Sequence, residues 1–234
     1  MIINHKYKFI FLKTRKTAGT SIEIALSQFC GANDIITRLH KESEPMRQAL
    51  GFRGSQNRDV PLRFYSKFDW VKLLLFQKRK RFSNHVSAHF IRENIGEEIW
   101  NSYFKFCFER NPFDKAISRY YWSTSEPRPE IYDYLLSARI DLLSNWDLYT
   151  VNDHVAVDFV GRYENLTDDL AVVTEKIGIP GQLDLPRAKA GYRKNREHYR
   201  NVIDTQSRAR IELVCAKEIT AFNYSWDDLQ NKSG

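Results

Sequence analysis

The chain has 234 residues, enough for one sizeable α/β core, and its 42% hydrophobic and 14% aromatic content argues against disorder, which goes with too little apolar surface to offset chain entropy. Thirty-six Lys and Arg against 29 Asp and Glu leave a net charge of +7, which favours anionic partners without choosing among nucleic acids, nucleotides and acidic polysaccharides. Cys30, Cys107 and Cys215 are odd in number and have no paired spacing, which argues against both a disulfide framework and a Cys-based zinc site.

An aromatic and β-branched run over 7–12 predicts a strand that begins too soon after Met1 to leave room for a signal peptide. The longest apolar run, around 71–76, is far below the ~20 residues needed to span a bilayer. Both features predict a soluble, cytoplasmic protein with no membrane span. A polar loop follows the strand, and 21–29 has a helical apolar pattern. Residues 31–80 are polar and irregular, contain Pro45, Gly51, Gly54 and Pro61, and end in the basic run Lys78-Arg79-Lys80-Arg81. They read as an insertion at about 31–80 that carries substrate-facing loops, within one domain spanning 1–234.

Ser87 is a candidate cap for a helix running to Asn94, with Gly96 as its stop. A second apolar strand is predicted at 103–109, then Arg110-Asn111-Pro112 and a helix over 113–122. A strand at 158–163, a helix at 166–177 capped by Asn165, and a last helix over 206–222 complete the pattern. Strands separated by helices predict an α/β protein with a mostly parallel sheet covered on both faces.

The loop Lys13-Thr14-Arg15-Lys16-Thr17-Ala18-Gly19-Thr20-Ser21 joins a strand to a helix, where an anion meets unpaired backbone N–H groups and the positive end of the helix dipole. Gly19 allows close backbone approach, Lys16 supplies a mobile positive charge, and the Thr20 and Ser21 hydroxyls add donors. It is not a Walker A loop, because Lys16 precedes the only glycine. A polar strand-to-helix loop with a capped helix is the plainer reading of the same residues. Arg110 repeats the theme at the end of the second strand, since its forked guanidinium suits a phosphate. Ser118 would stand about two turns into the helix that follows. Arg110 could equally pair with a neighbouring carboxylate, and Ser118 could be an ordinary helix residue.

The segment from Lys16 to Ser21 closely resembles the 5'-phosphosulfate loop of sulfotransferases that use 3'-phosphoadenosine 5'-phosphosulfate (PAPS), commonly written Pro-Lys-Thr-Ala-Gly-Thr-Ser. Arg15 stands where that family usually has proline. Arg110-Asn111-Pro112 with Ser118 resembles the family's 3'-phosphate motif. Asp158-Phe159-Val160-Gly161-Arg162-Tyr163-Glu164 and the closing Phe222-Asn223-Tyr224-Ser225-Trp226 resemble its carbohydrate-directed branch, sulfotransferase family 2. Residues 31–80 match weakly.

The resemblance implies a P-loop-NTPase-like three-layer fold and transfer of the sulfuryl group of PAPS to an acceptor hydroxyl on an oligo- or polysaccharide. It implies PAP as product; an ammonium at Lys16 can neutralise the leaving phosphate without an obligatory metal, and the chain has no recognisable RNA-binding strand motif, zinc finger or basic repeat to point to a nucleic-acid partner. Arg15, Lys16, Thr17, Ala18, Gly19, Thr20, Ser21, Arg110, Ser118 and Tyr163 are the implied donor-binding residues, with Lys16 also facing the leaving phosphate. Arg193, Lys194 and Arg196, in a Gly-containing basic loop, either close over the nucleotide or are simply solvated.

The general base implied by the segment His85-Val86-Ser87-Ala88 is His85, with His89 as the alternative. A purely packing or capping role for His85 stays open, and a metal held by both histidines lacks a third ligand. A nucleotide or small-molecule kinase would share the topology but needs a Walker lysine. A non-catalytic PAP- or PAPS-binding protein would share the site without the base.

Overall fold

The computed structural model describes residues 1–186 and 197–227. In chain order these form β1 (Ile2–Asn4), β2 (Phe9–Phe11), α1 (Gly19–Ser27), β3 (Ile35–Ile36), α2 (Glu44–Ala49), α3 (Lys67–Phe76), α4 (Ala88–Ile95), α5 (Glu97–Ser102) and β4 (Phe104–Glu109). There follow α6 (Pro112–Ser123), α7 (Ile131–Leu136), α8 (Trp146–Tyr149), the hairpin β5 (Thr150–Val151) and β6 (His154–Val155), β7 (Phe159–Arg162), α9 (Leu166–Ile177), α10 (Tyr199–Val202), α11 (Thr205–Val214) and α12 (Ala216–Phe222).

The main sheet has the order β3-β1-β2-β4-β7. β2 pairs parallel with β4 and β4 with β7, while β1 runs antiparallel to both its neighbours, so four of the five strands point the same way. Period-two alternation explains the two apolar faces. Phe9, Phe11, Phe106 and Phe108 pack with Ile22 and Leu26 of α1 and with Leu170 and Val173 of α9. Ile10, Leu12 and Cys107 pack on the opposite side with Ile91 and Ile95 of α4, Trp100 of α5 and Tyr149 of α8. Helices therefore cover both faces of the sheet. A third cluster joins Phe113, Ala116, Ile117 and Tyr120 of α6 to α7, α10 and α11. Gly161 in β7 sits opposite Phe108 of β4, where a Cβ would lie 2.4 Å from the Phe108 ring, so only glycine fits that register position.

Four sequence expectations need correction. β1 was not anticipated: three residues are too few for a readable alternation, and pairing on both sides is what orders it. Residues 31–80 contain β3, α2 and α3 rather than loops alone. The last helix breaks at Cys215, whose φ of −108° and ψ of 23° leave the helical region. α12 then brings Glu218 to the fully buried Lys115–Glu109 pair, with Lys115 Nζ 3.0 Å from Glu109 and 4.0 Å from Glu218. Asn165 occupies the N-cap position of α9 without capping it, since its Nδ2 donates to Asp169 at 2.8 Å. The Ser87 cap is present, with Ser87 Oγ accepting from the N–H of Phe90 at 3.2 Å.

Because β2 and β4 are parallel neighbours, the loops that leave them for α1 and α6 emerge side by side at the carboxyl end of the sheet, the end at which open α/β sheets bind ligands.

Candidate active site

Between Leu12 and Gly19 the chain turns with two non-glycine residues in the left-handed region, Lys16 at φ 64° and Ala18 at φ 59°. Left-handed residues of this kind aim successive backbone N–H groups into a concavity that suits an anion. α1 then begins with Ala18 as N-cap and no side chain capping it. The glycine serves packing rather than φ: a Cβ on Gly19 would lie 2.8 Å from Lys13 Cγ and 3.3 Å from the Thr14 carbonyl. Thr14 Oγ1 donates to the Phe108 carbonyl at the end of β4 and lies 2.8 Å from Thr17 Oγ1.

The two lysines of the loop differ in environment. Lys13 turns inward, buried, with Nζ 2.9 Å from Glu23 and 3.3 Å from Asn84 Oδ1. Burial works to raise the pKa of the Glu23 carboxyl, but Lys13 and its other cationic neighbours outweigh that and hold it below the ordinary value. Lys16 is only half-buried, and its Nζ lies 5.2 Å from the centre of the Trp122 ring.

Arg110 joins the second loop to the first. Its Nη1 donates to the Lys16 carbonyl at 3.1 Å, while Nε and Nη2 both donate to Asp114 Oδ2, at 2.8 and 2.5 Å. The carboxylate pairing that the sequence left open is therefore real, and it orients the guanidinium rather than exhausting it. Of five N–H donors, these bonds leave two. The guanidinium also stacks over Tyr163, 3.9 Å from the ring centre. Asn111 caps α6 by accepting from the N–H of Phe113 at 3.0 Å, with Pro112 at the first helical position. Asp114, Ser118 and Trp122 are spaced by four residues along α6, so they share the face that meets Arg110 and Lys16. Ser118 lies between the other two on that face.

His85 is brought against the same loop, its Nδ1 2.9 Å from the carbonyl of Lys13. A carbonyl can only accept, so Nδ1 carries the proton and Nε2 keeps its lone pair. Crowding on the packed side of the ring, then the positive charges of Lys13 and Arg15, lower the His85 pKa from 6.5 to about 4, although its outer edge is open to solvent. The imidazole is therefore neutral near pH 7. His89 lies on α4 and pairs instead with Glu93 at 3.3 Å.

Asn145 was not singled out by the sequence. It is fully buried, its Oδ1 accepts from the Arg15 N–H at 2.9 Å, and its Nδ2 donates to the Arg15 carbonyl at 3.1 Å. Its own N–H donates to Glu218 at 2.8 Å, which ties the loop to α12. This two-point clamp accounts for Arg15 in place of proline, because proline has no N–H to give Asn145. Arg15→Pro should leave a buried amide oxygen unpaired, at about 1–3 kcal/mol. That penalty should vanish when Asn145 is already alanine, so a double-mutant cycle on thermal unfolding should return a coupling of about 0.5–3 kcal/mol. Additive effects of Arg15→Pro and Asn145→Ala would dissolve the clamp.

Arg119 on α6 was also missed. It is buried, its Nε has no hydrogen-bond partner among the described residues, and its charge, after burial, lowers the pKa of the half-buried Arg15. A surplus of positive charge thus lines this side of the loop. Thr17 and Thr20 are buried and Ser21 half-buried at the start of α1. Arg193, Lys194 and Arg196 lie outside the described residues.

Fold and site together define an α/β protein with two strand–loop–helix units side by side at one end of its mostly parallel sheet. The model of the Sulfotransferase family, of the family 2 type, matches residues 1–140, and the chain belongs to that family. The match includes Lys16, His85, Arg110 and Ser118 and ends before Asn145 and Tyr163. A protein of Archaeoglobus fulgidus, described as uncharacterized, is 39% identical over 122 residues, covering 47% of this chain and 98% of the relative. No solved structure matches the chain.

Proposed function

We propose that the protein transfers the sulfuryl group of PAPS to an acceptor hydroxyl, and that the acceptor is an oligo- or polysaccharide. The observation that carries this reading is the hydrogen bond from Arg110 to the Lys16 carbonyl, which joins the 5'-phosphosulfate motif to the 3'-phosphate motif. In this reading the backbone of 16–19 and the Thr17, Thr20 and Ser21 side chains hold the 5' end of the donor. Arg110, Ser118 and Tyr163 hold the 3'-phosphate, with Arg193, Lys194 and Arg196 expected to assist.

The acceptor oxygen bonds to sulfur as the bond from sulfur to the bridging phosphate oxygen breaks, and that electron pair stays with departing PAP. The Lys16 ammonium stabilises the charge developing on the phosphate, and the acceptor proton passes to Nε2 of His85. Neutralisation by an ammonium makes a metal ion unnecessary to this scheme. A P-loop-NTPase-like relationship is part of the same proposal. The carbohydrate acceptor rests on the resemblance of 158–164 to the carbohydrate-directed branch.

Calorimetry with PAP in magnesium-free buffer should show saturable, tight binding that Arg110→Ala weakens. Preference for ATP with magnesium over PAP would replace the proposal with a kinase.

A further inference from the structure

Residues 58–81 contain eight basic and two acidic side chains, a net charge of +6 in a chain whose total is +7. The basic character of the protein is thus concentrated in one stretch, and the remainder is nearly neutral. The same stretch forms α3, in which no residue is buried. Leu74 and Leu75 are 75% and 71% exposed, with Phe68, Trp70, Val71 and Phe76 exposed beside them. Single exposed apolar residues are ordinary, but a contiguous group of this kind marks an interaction surface.

α3 is held as a helix while these side chains face outward. Ser66 and Asp69 form a reciprocal capping box, Asp69 also pairs with Lys80 at 3.0 Å, and Gln77 ends the helix in the left-handed conformation. Asp59 answers Arg79 and Arg81. Among the described residues no carboxylate pairs with Lys67, Lys72 or Lys78, so the helix and its C-terminal flank keep unanswered positive charge next to the apolar side chains.

That combination selects the occupant. A second copy of the chain would press two faces of the same high positive charge together. A saccharide is recognised through hydroxyl hydrogen bonds and ring stacking; Phe68, Trp70 and Phe76 offer rings, but the two most exposed side chains, Leu74 and Leu75, are aliphatic and offer neither. A bilayer with anionic headgroups meets both halves: leucine, phenylalanine and tryptophan enter the headgroup–acyl boundary while the lysines meet phosphate and carboxylate groups. At about 1.5 Å per residue α3 is about 15 Å long, half the thickness of the hydrocarbon core, so it would lie in the interface rather than cross it. We infer that α3 and the basic run 78–81 dock this protein on the surface of an anionic lipid bilayer. The inference is independent of the donor and acceptor assigned above.

The test is co-sedimentation of the full chain with vesicles of phosphatidylcholine alone and of phosphatidylcholine with phosphatidylserine. Binding is expected with the phosphatidylserine vesicles, weaker with phosphatidylcholine alone, and falling as salt rises. Leu74→Glu with Leu75→Glu should weaken partitioning roughly tenfold or more, because apolar area that entered the interface is replaced by like-charged carboxylates. Lys67→Ala, Lys72→Ala and Lys78→Ala should each weaken it about fivefold. All four variants alter exposed side chains, so the thermal unfolding midpoint followed by circular dichroism should be unchanged, which separates a docking failure from a failure to fold. The inference is overturned if the wild-type chain stays in the supernatant with phosphatidylserine vesicles at low salt. It is also overturned if the double glutamate variant sediments like wild type, or if ultracentrifugation without vesicles shows a dimer that the same variant abolishes.

Discussion

Lys16→Ala should lower turnover of PAPS by about 10²–10³-fold, the scale on which a single preorganised electrostatic group acts on developing transition-state charge. The acceptor can be left out of the measurement: slow hydrolysis of PAPS to PAP and sulfate, followed by chromatography, exposes the same leaving phosphate to the same ammonium. Lys16 stands at φ 64°, its carbonyl is held by Arg110, and its half-buried side chain runs beside Trp122. Backbone capture and side-chain charge are therefore separable, and the alanine variant should keep much of its affinity for PAP while losing rate. Lys16→Arg should recover part of the rate, since charge returns with a different shape. Lys13→Ala predicts the opposite pattern, a loss of stability, because its ammonium answers the buried Glu23 carboxylate. Equal hydrolysis by wild type and Lys16→Ala would remove Lys16 from the chemistry.

The second large effect concerns the proton. His85→Ala should cut transfer to an acceptor alcohol by about 10²–10⁴-fold while PAP still binds. The pH profile of kcat/KM gives the sharper readout. The folded pKa of His85 is lowered from 6.5 to about 4, so the neutral, proton-accepting form persists well below pH 6. Activity should hold from neutral pH down to about pH 5 and fall only as pH approaches 4, and the acid limb assigned to His85 should vanish in the alanine variant. An acid limb near 6.5 would mean that the ring is not held as the packing requires. Unchanged turnover in both His85→Ala and His85→Gln would return the residue to a packing role. His85→Gln can still donate to the Lys13 carbonyl, which controls for disturbance of the loop.

Docking through α3 would set these reactions beside a membrane. His85 follows Arg81 by only four residues, so the surface inferred for lipid and the candidate base belong to one continuous segment.

Much of the site was legible from short stretches of chain. Arg110, Pro112 and Ser118 follow one strand, and Lys16 to Ser21 follow another, so residue types and spacing within a dozen positions carry the proposed anion chemistry. The helices over 88–95 and 166–177 were legible for the same reason, through a capping serine in one and a terminating glycine in the other. β1 and α3 were not. β1 exists because strands lie on both its sides, and α3 leaves its apolar residues in water, against the rule by which patterns are read.

What local patterning could not carry are the contacts that span the chain. Asn145 grips Arg15 across 130 positions, Glu218 reaches Asn145 across 73, and Lys13 meets His85 across 72. An asparagine, a glutamate or a lysine looks the same in a string whether it is solvated or clamped, because its partner is chosen by how sheet and helices pack. The anion-binding character proposed for the loop therefore rests on neighbouring residues. The inward turn of Lys13, the tautomer of His85 and the clamp that makes room for Arg15 were set when distant elements came together and buried polar groups had to find partners.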